Sequence, residues 1–252
     1  MKNIKLILVN ISVITFMVIF IACKDETNIK TAPAINETRI EIESNEWQLI
    51  GDLLLPADKD SLSIVLMLNK ANGNREVYKN LAHHLANNGI ASLRLDLRGH
   101  GESTNLGKFI PGNIPKDPII WDAELDVISA YEYLKTHPNI DANKIGILGS
   151  SYSGEEMAEA GRIHGFAQAY VAISPGSFSE NSINGIDSSN VPWLFIASNN
   201  ERFLKNITSN IQAQSKTVEL IVIPGEKHAS DILIDNENLS KRIAIWLSHK
   251  LN

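Results

Sequence analysis

Ile145-Gly146-Ile147-Leu148-Gly149-Ser150-Ser151-Tyr152-Ser153-Gly154 decides the fold of this 252-residue chain. An apolar run ends abruptly in a Gly/Ser-rich turn, and a helix-like segment follows, so the stretch reads as strand, tight turn and helix. A serine at the tip of such a turn is held in a strained backbone conformation with its hydroxyl pushed out above the sheet edge. Ser151 fits that position, with Gly149 two residues before it. The pattern Gly-x-Ser-x-Gly is met at its first glycine, whereas Ser153 stands at the second and Gly154 comes one place late. Ser150 and Ser153 are competing nucleophiles, but neither has a glycine two places before it. Alone, the turn could equally be a Gly/Ser-rich loop without chemistry.

Outward from this turn the chain alternates strands and helices. Ile64 to Leu68 is a continuous apolar run, as expected of a strand buried on both faces of a parallel sheet. Tyr78, Leu81, Ala82, Leu85 and Ala86 then keep helical spacing, and Gly89 closes that helix. Further strands are expected at Ile90 to Asp96, Ala169 to Ile173, Trp193 to Ile196 and Val218 to Ile223. Helices are expected over Asp122 to His137, after Gly154, around Phe203, Ile207 and Ile211, and around Leu239, Ile243, Trp246 and Leu247. Ahead of them, Thr38 to Ser44 and Trp47 to Leu55 alternate in the manner of two antiparallel strands. Short crossovers between buried strands force a doubly wound, mostly parallel α/β sheet with helices on both faces. Ligands then bind beyond the carboxyl ends of its strands.

A serine hydroxyl needs a base, and the base needs an acceptor that fixes its tautomer. In this architecture the three arrive in the order Ser, acid, His. His228 lies just past the final strand, and Glu201 just past the strand before it. Both are therefore expected on the same side of the sheet as Ser151. Asp187, in a polar loop, and Asp231, soon after His228, are the alternative acids.

With these residues in place, the chain resembles an α/β-hydrolase, of the dienelactone-hydrolase-like esterase branch, over nearly its whole length past the N-terminal segment. Asp96-Leu97-Arg98-Gly99-His100-Gly101-Glu102-Ser103 is similar to that family's structural turn after the fourth strand, which removes His100 from the candidate bases and makes Arg98 a brace. Ile173-Ser174-Pro175-Gly176 and Ala197-Ser198 are also similar to esterase-like members. The resemblance implies an oxyanion hole formed by the backbone N–H groups of Ala71 and Tyr152. It also implies two departures: glutamate at 201 where most members carry aspartate, and Asn69-Lys70 where the family reads His-Gly. Lys70 is read as a solvated loop charge or a substrate contact. Between Ser174 and Val191, where the family often inserts a cap, only a polar loop is expected. Phe109, Ile110 and Trp121, in the irregular stretch from Thr104 to Trp121, are the apolar material for a wall.

Residues 1–22 differ from the rest, with Lys2, Lys5 and then a mostly apolar run to Ala22. The run falls short of the roughly 20 apolar residues that span a bilayer, so it reads as a signal peptide. Phe20-Ile21-Ala22-Cys23 resembles the bacterial lipobox, and Cys23 is the lone cysteine, so lipidation explains it better than packing. Residues 23–37 then read as a lipidated tether and 38–252 as the catalytic domain. Lys24-Asp25-Glu26 resembles an export signal that places lipoproteins on the outer surface of some Gram-negative cells, which would put the chain in the cell envelope. The net charge of −6, without any basic cluster, argues against a nucleic-acid partner. No metal or cofactor is inferred: His83 and His84 are adjacent on one helix and point apart. The expected activity is hydrolysis of a carboxylic ester, small or glycan-borne, through an acyl-enzyme. A peptidase or amidase on the same triad and a non-catalytic surface-binding lipoprotein are the alternatives.

Overall fold

The computed structural model describes residues 34–57, 60–112, 117–176, 178–201, 204 and 217–252. The helix expected around Phe203, Ile207 and Ile211, the signal peptide and Cys23 lie outside them. Eight strands form a single sheet: β1 (Ile35–Ser44), β2 (Trp47–Pro56), β3 (Leu62–Leu68), β4 (Ala91–Leu95), β5 (Ile140–Ser150), β6 (Ala169–Ile173), β7 (Trp193–Ser198) and β8 (Val218–Ile223). Their order is β1-β2-β4-β3-β5-β6-β7-β8. β1 pairs with β2, and β2 with β4, antiparallel, and every later pairing is parallel.

The continuous apolar run in β3 has a direct cause. Ile64, Leu66 and Leu68 point into one core, shared with Val127 and Leu134 of α3 (Glu124–Thr136) and Met157 of α4 (Tyr152–His164). Val65 and Met67 point into the other, shared with Leu81 and Leu85 of α1 (Lys79–Asn87) and Ile243 and Leu247 of the last helix, α6 (Glu237–Leu251). Both faces of the strand are covered, so no polar face is needed. The strands fall where expected but with shifted ends: β4 is one residue shorter at each end, β1 begins at Ile35 rather than Thr38, β3 at Leu62 and β5 at Ile140, ahead of their apolar runs, and β7 continues to Ser198.

Two segments depart from the sequence reading. Part of the irregular stretch before α3 is a short helix, α2 (Pro118–Trp121), opened by the Asp117 side chain, which accepts from the Ile119 N–H. The segment between β6 and β7 is not simply a polar loop: it contains α5 (Glu180–Ser189). This helix packs beside α4, with Gly185 against Phe166 and Arg162. Its start is held from two sides. Ser179 Oγ accepts the Ser182 N–H at 3.1 Å, and the Glu155 carboxylate of α4 accepts from the Ser179 N–H and, at 2.9 Å, from the Ser182 hydroxyl.

Candidate active site

The carboxyl ends of β5, β6, β7 and β8 meet at one place, and each delivers a residue to it. At the end of β5 the chain turns through Ser151 with φ +57° and ψ −122°, outside the ordinary regions for a residue with a side chain. Such a conformation costs about 1–3 kcal/mol and persists only if the surroundings fix it. They do: the Ser151 N–H donates to the Ile173 carbonyl at 3.0 Å, and the Ser151 carbonyl accepts the Gly154 N–H at 3.0 Å. Gly149 is required by close approach, because a Cβ there would lie 2.6 Å from the Ser153 carbonyl oxygen.

Ser153, at the unusual second position, is wholly buried and committed to the turn. Its hydroxyl accepts the Ser150 N–H at 2.7 Å and lies 3.0 Å from the Ser150 carbonyl. Ser150 is also fully buried. Of the three serines, Ser151 alone is partly open to solvent.

His228 Nε2 lies 3.1 Å from Ser151 Oγ, and its Nδ1 lies 2.5 Å from Glu201 Oε1. An ionised carboxylate can only accept, so Nδ1 carries the hydrogen and Nε2 presents its lone pair to the serine. Glu201 Oε2 accepts from the Ser198 N–H at 2.8 Å and from the Ser174 hydroxyl at 2.7 Å. The Glu201 side chain is 5% exposed, so its charge is held by three donors away from bulk water. The longer glutamate arm thus closes the distance to His228. Ser198 also donates its hydroxyl to the Lys227 carbonyl at 2.6 Å, tying the acid loop to the histidine loop. The sequence marked Ser174 and Ser198 only by resemblance. Their work became visible once β6 and β7 placed them beside Glu201.

The other candidates go elsewhere. Asp187 is exposed on α5. Asp231 pairs with Lys70 at 2.5 Å, so Lys70 is a partly exposed, paired loop charge. Arg98 binds Asp126 through its backbone N–H, Nε and Nη2 and so braces its loop as expected. His100 donates from Nδ1 to the Arg98 carbonyl and stacks between Phe109 and Tyr152. Burial lowers its pKa, which keeps it neutral.

Ala71 lies in the turn after β3, whose neighbour in the sheet is β5, with Leu68 opposite Gly149, and Tyr152 opens α4. Asn69 forms a two-ended bridge. Its Oδ1 accepts the Leu97 N–H at 2.8 Å, and its Nδ2 donates to the Lys70 carbonyl at 2.9 Å. Arg75 anchors the far end of the same loop, donating from its backbone N–H and Nη1 to Asp96, from Nε to Asp52 and from Nη2 to Glu102. Beside this loop is a cavity of ≈ 220 Å³ lined by Asn72, Asn74, His100, Lys108 and Phe109, among others. Of the expected wall residues Phe109 borders it, whereas Ile110 and Trp121 are 72% and 49% exposed.

No protein-family model matches the sequence, and no curated protein matches it. Solved structures do match in shape. Est1E from Butyrivibrio proteoclasticus, with ferulic acid bound, superposes with a TM-score of 0.67 at 16% identity, covering 84% of this chain and 100% of its own. A dienelactone hydrolase from Anabaena variabilis gives 0.68 at 19% identity over 88% and 100%. The Pyrococcus furiosus esterase Pf2001 gives 0.66 at 20% over 86% and 94%. Sheet order, strand directions and these superpositions together identify the architecture of this chain as the α/β-hydrolase fold.

Proposed function

We propose that the protein is a serine hydrolase that cleaves a carboxylic ester through an acyl-enzyme intermediate. The observation that carries this reading is the continuous hydrogen-bonded chain from Ser151 Oγ through His228 to the buried Glu201. Fold likeness alone would not carry it, because one fold hosts many functions.

In the proposed reaction His228 Nε2 takes the Ser151 proton as Oγ attacks the ester carbonyl. Glu201 holds the ring and stabilises the imidazolium. The backbone N–H groups of Ala71 and Tyr152 receive the developing oxyanion, a contribution that typically amounts to roughly 3–4 kcal/mol per donor. His228 then gives its proton to the leaving alcohol, and the same base activates the water that releases the acid from Ser151. Each step uses one proton and one site, so no metal or cofactor is required. Esterases among the structural neighbours favour an ester over an amide, and the ferulate bound to Est1E makes an aromatic acid ester a sensible probe. The cavity beside the loop that carries Ala71 is the candidate place for part of such a substrate, with Phe109 among its lining residues. On this proposal Cys23 carries a lipid that holds the enzyme at the cell envelope, where its substrate is a small or glycan-borne ester.

Turnover of p-nitrophenyl acetate, a feruloyl ester and the matched anilides by the purified protein tests the assignment. Ester hydrolysis with kcat/KM far above that of the anilides supports it. Anilide cleavage at comparable rates moves the reading to an amidase, and turnover of none of them, with Ser151 inert to a fluorophosphonate, moves it to a binding protein.

A further inference from the structure

Lys70 and Asp231 meet at 2.5 Å although they lie 161 residues apart in sequence. Lys70 immediately precedes Ala71 on the loop after β3, and Asp231 follows His228 by three residues on the loop after β8. Each carries a neighbour whose placement the proposed chemistry needs.

The histidine loop requires such a tie. Straight after His228 the chain turns through Ala229, a buried non-glycine residue at φ +56°, a left-handed conformation that is strained for a side chain. A 3-10 turn over Ala229–Leu233 follows, in which the Asp231 N–H donates to the His228 carbonyl at 3.2 Å. Ser198 holds the loop before His228, through the Lys227 carbonyl. Asp231 holds it after, and the bond it makes crosses to the oxyanion loop. That loop is fixed at its base by Asn69 and at its far end by Arg75, and among the described residues the Lys70 side chain ties it to the loop that carries His228.

We propose that Lys70 and Asp231 form a latch that sets the position of His228 relative to the oxyanion loop, making both of them positioning residues. The proposal rests on the hydrolase reading for its consequence in catalysis, but the latch itself does not. The side chains are 24% and 40% exposed, and such a pair adds little to global stability. Its effect is geometric, and displacing a catalytic group by about 1 Å can cost on the order of a hundredfold in rate.

The test uses Lys70→Met, Asp231→Asn, the double variant and Lys70→Arg in the full chain, with two readouts. Amide hydrogen exchange should rise in both residues 69–74 and residues 228–235 in either single variant, with the melting temperature nearly unchanged. Hydrolysis of p-nitrophenyl acetate should show kcat lowered roughly tenfold with KM within about threefold, the double variant no worse than either single one, and Lys70→Arg close to the parent. Should each single variant loosen only its own loop, or the two losses multiply in the double variant, the latch is overturned. Exchange rising in both loops with kcat unchanged overturns the positioning role. A parent protein that neither hydrolyses the ester nor reacts with a fluorophosphonate fails the hydrolase reading and removes the positioning role with it, while the exchange result still decides whether the two loops are coupled.

Discussion

Ser153 occupies a position where a glycine is usual, and the structure shows what it does there. Its hydroxyl makes two contacts inside the turn and lies 3.3 Å from the Leu68 carbonyl, so its removal should loosen the elbow without removing a reacting group. Ser150→Ala and Ser153→Ala are expected to keep ester turnover within about tenfold of the parent, read in a steady-state assay, since each loses at most a neutral hydrogen bond or two. Glu201→Gln differs in kind. The amide leaves the shape intact but no longer compels His228 to carry its hydrogen on Nδ1, and comparable acid variants lose on the order of a thousandfold or more. The kcat of Glu201→Gln checks this, and a loss below tenfold would show that another group holds the histidine.

At the scale of the element, α4 carries a liability under the nucleophile. Glu156 is 3% exposed, and burial, followed by repulsion from Glu124 and Glu155, raises its pKa to about 9. Between its ordinary value of 4.5 and about 9, the folded state keeps a proton that the unfolded chain has released. The contribution is therefore fully present below pH 4.5 and is lost as pH rises towards 9. Glu156→Gln should raise Tm by roughly 5 °C at pH 8 and by little at pH 4, measured by calorimetry. A uniform shift at both pH values would contradict the assignment. The helices also show where legibility in sequence ends. β3 and β6 could be read because strands covered on both faces must be apolar throughout. α5 could not, since Ser182, Asn184, Gly185 and the adjacent Ser188 and Ser189 give little helical preference of their own. Its start depends on Glu155, a residue of another helix, which no local pattern announces.

At the scale of the molecule, the sheet brings Ser151, Glu201 and His228 within hydrogen-bonding distance from three strand ends, in the chain order by which the sequence singles them out. What order could not supply was the support: Ser174 and Ser198 on Glu201, Asn69 on Leu97 and Lys70 on Asp231 are all contacts across loops. The lone Cys23 bears on where the molecule works. If it is lipidated, Cys23→Ser should move the protein from the membrane fraction to the soluble fraction with its ester hydrolysis unchanged. Immunoblotting of the two fractions reads the outcome, and a variant that stays with the membrane after its first residues are removed would contradict lipid attachment.

The central claim is that Ser151 is a nucleophile activated by His228 and Glu201. Reaction with a fluorophosphonate, followed by peptide mass spectrometry, tests it most directly. The account predicts one phosphonate per molecule on Ser151, none on Ser150 or Ser153, and loss of labelling in Ser151→Ala and His228→Ala. Labelling that persists in Ser151→Ala, or a parent protein that resists the reagent altogether, would contradict it.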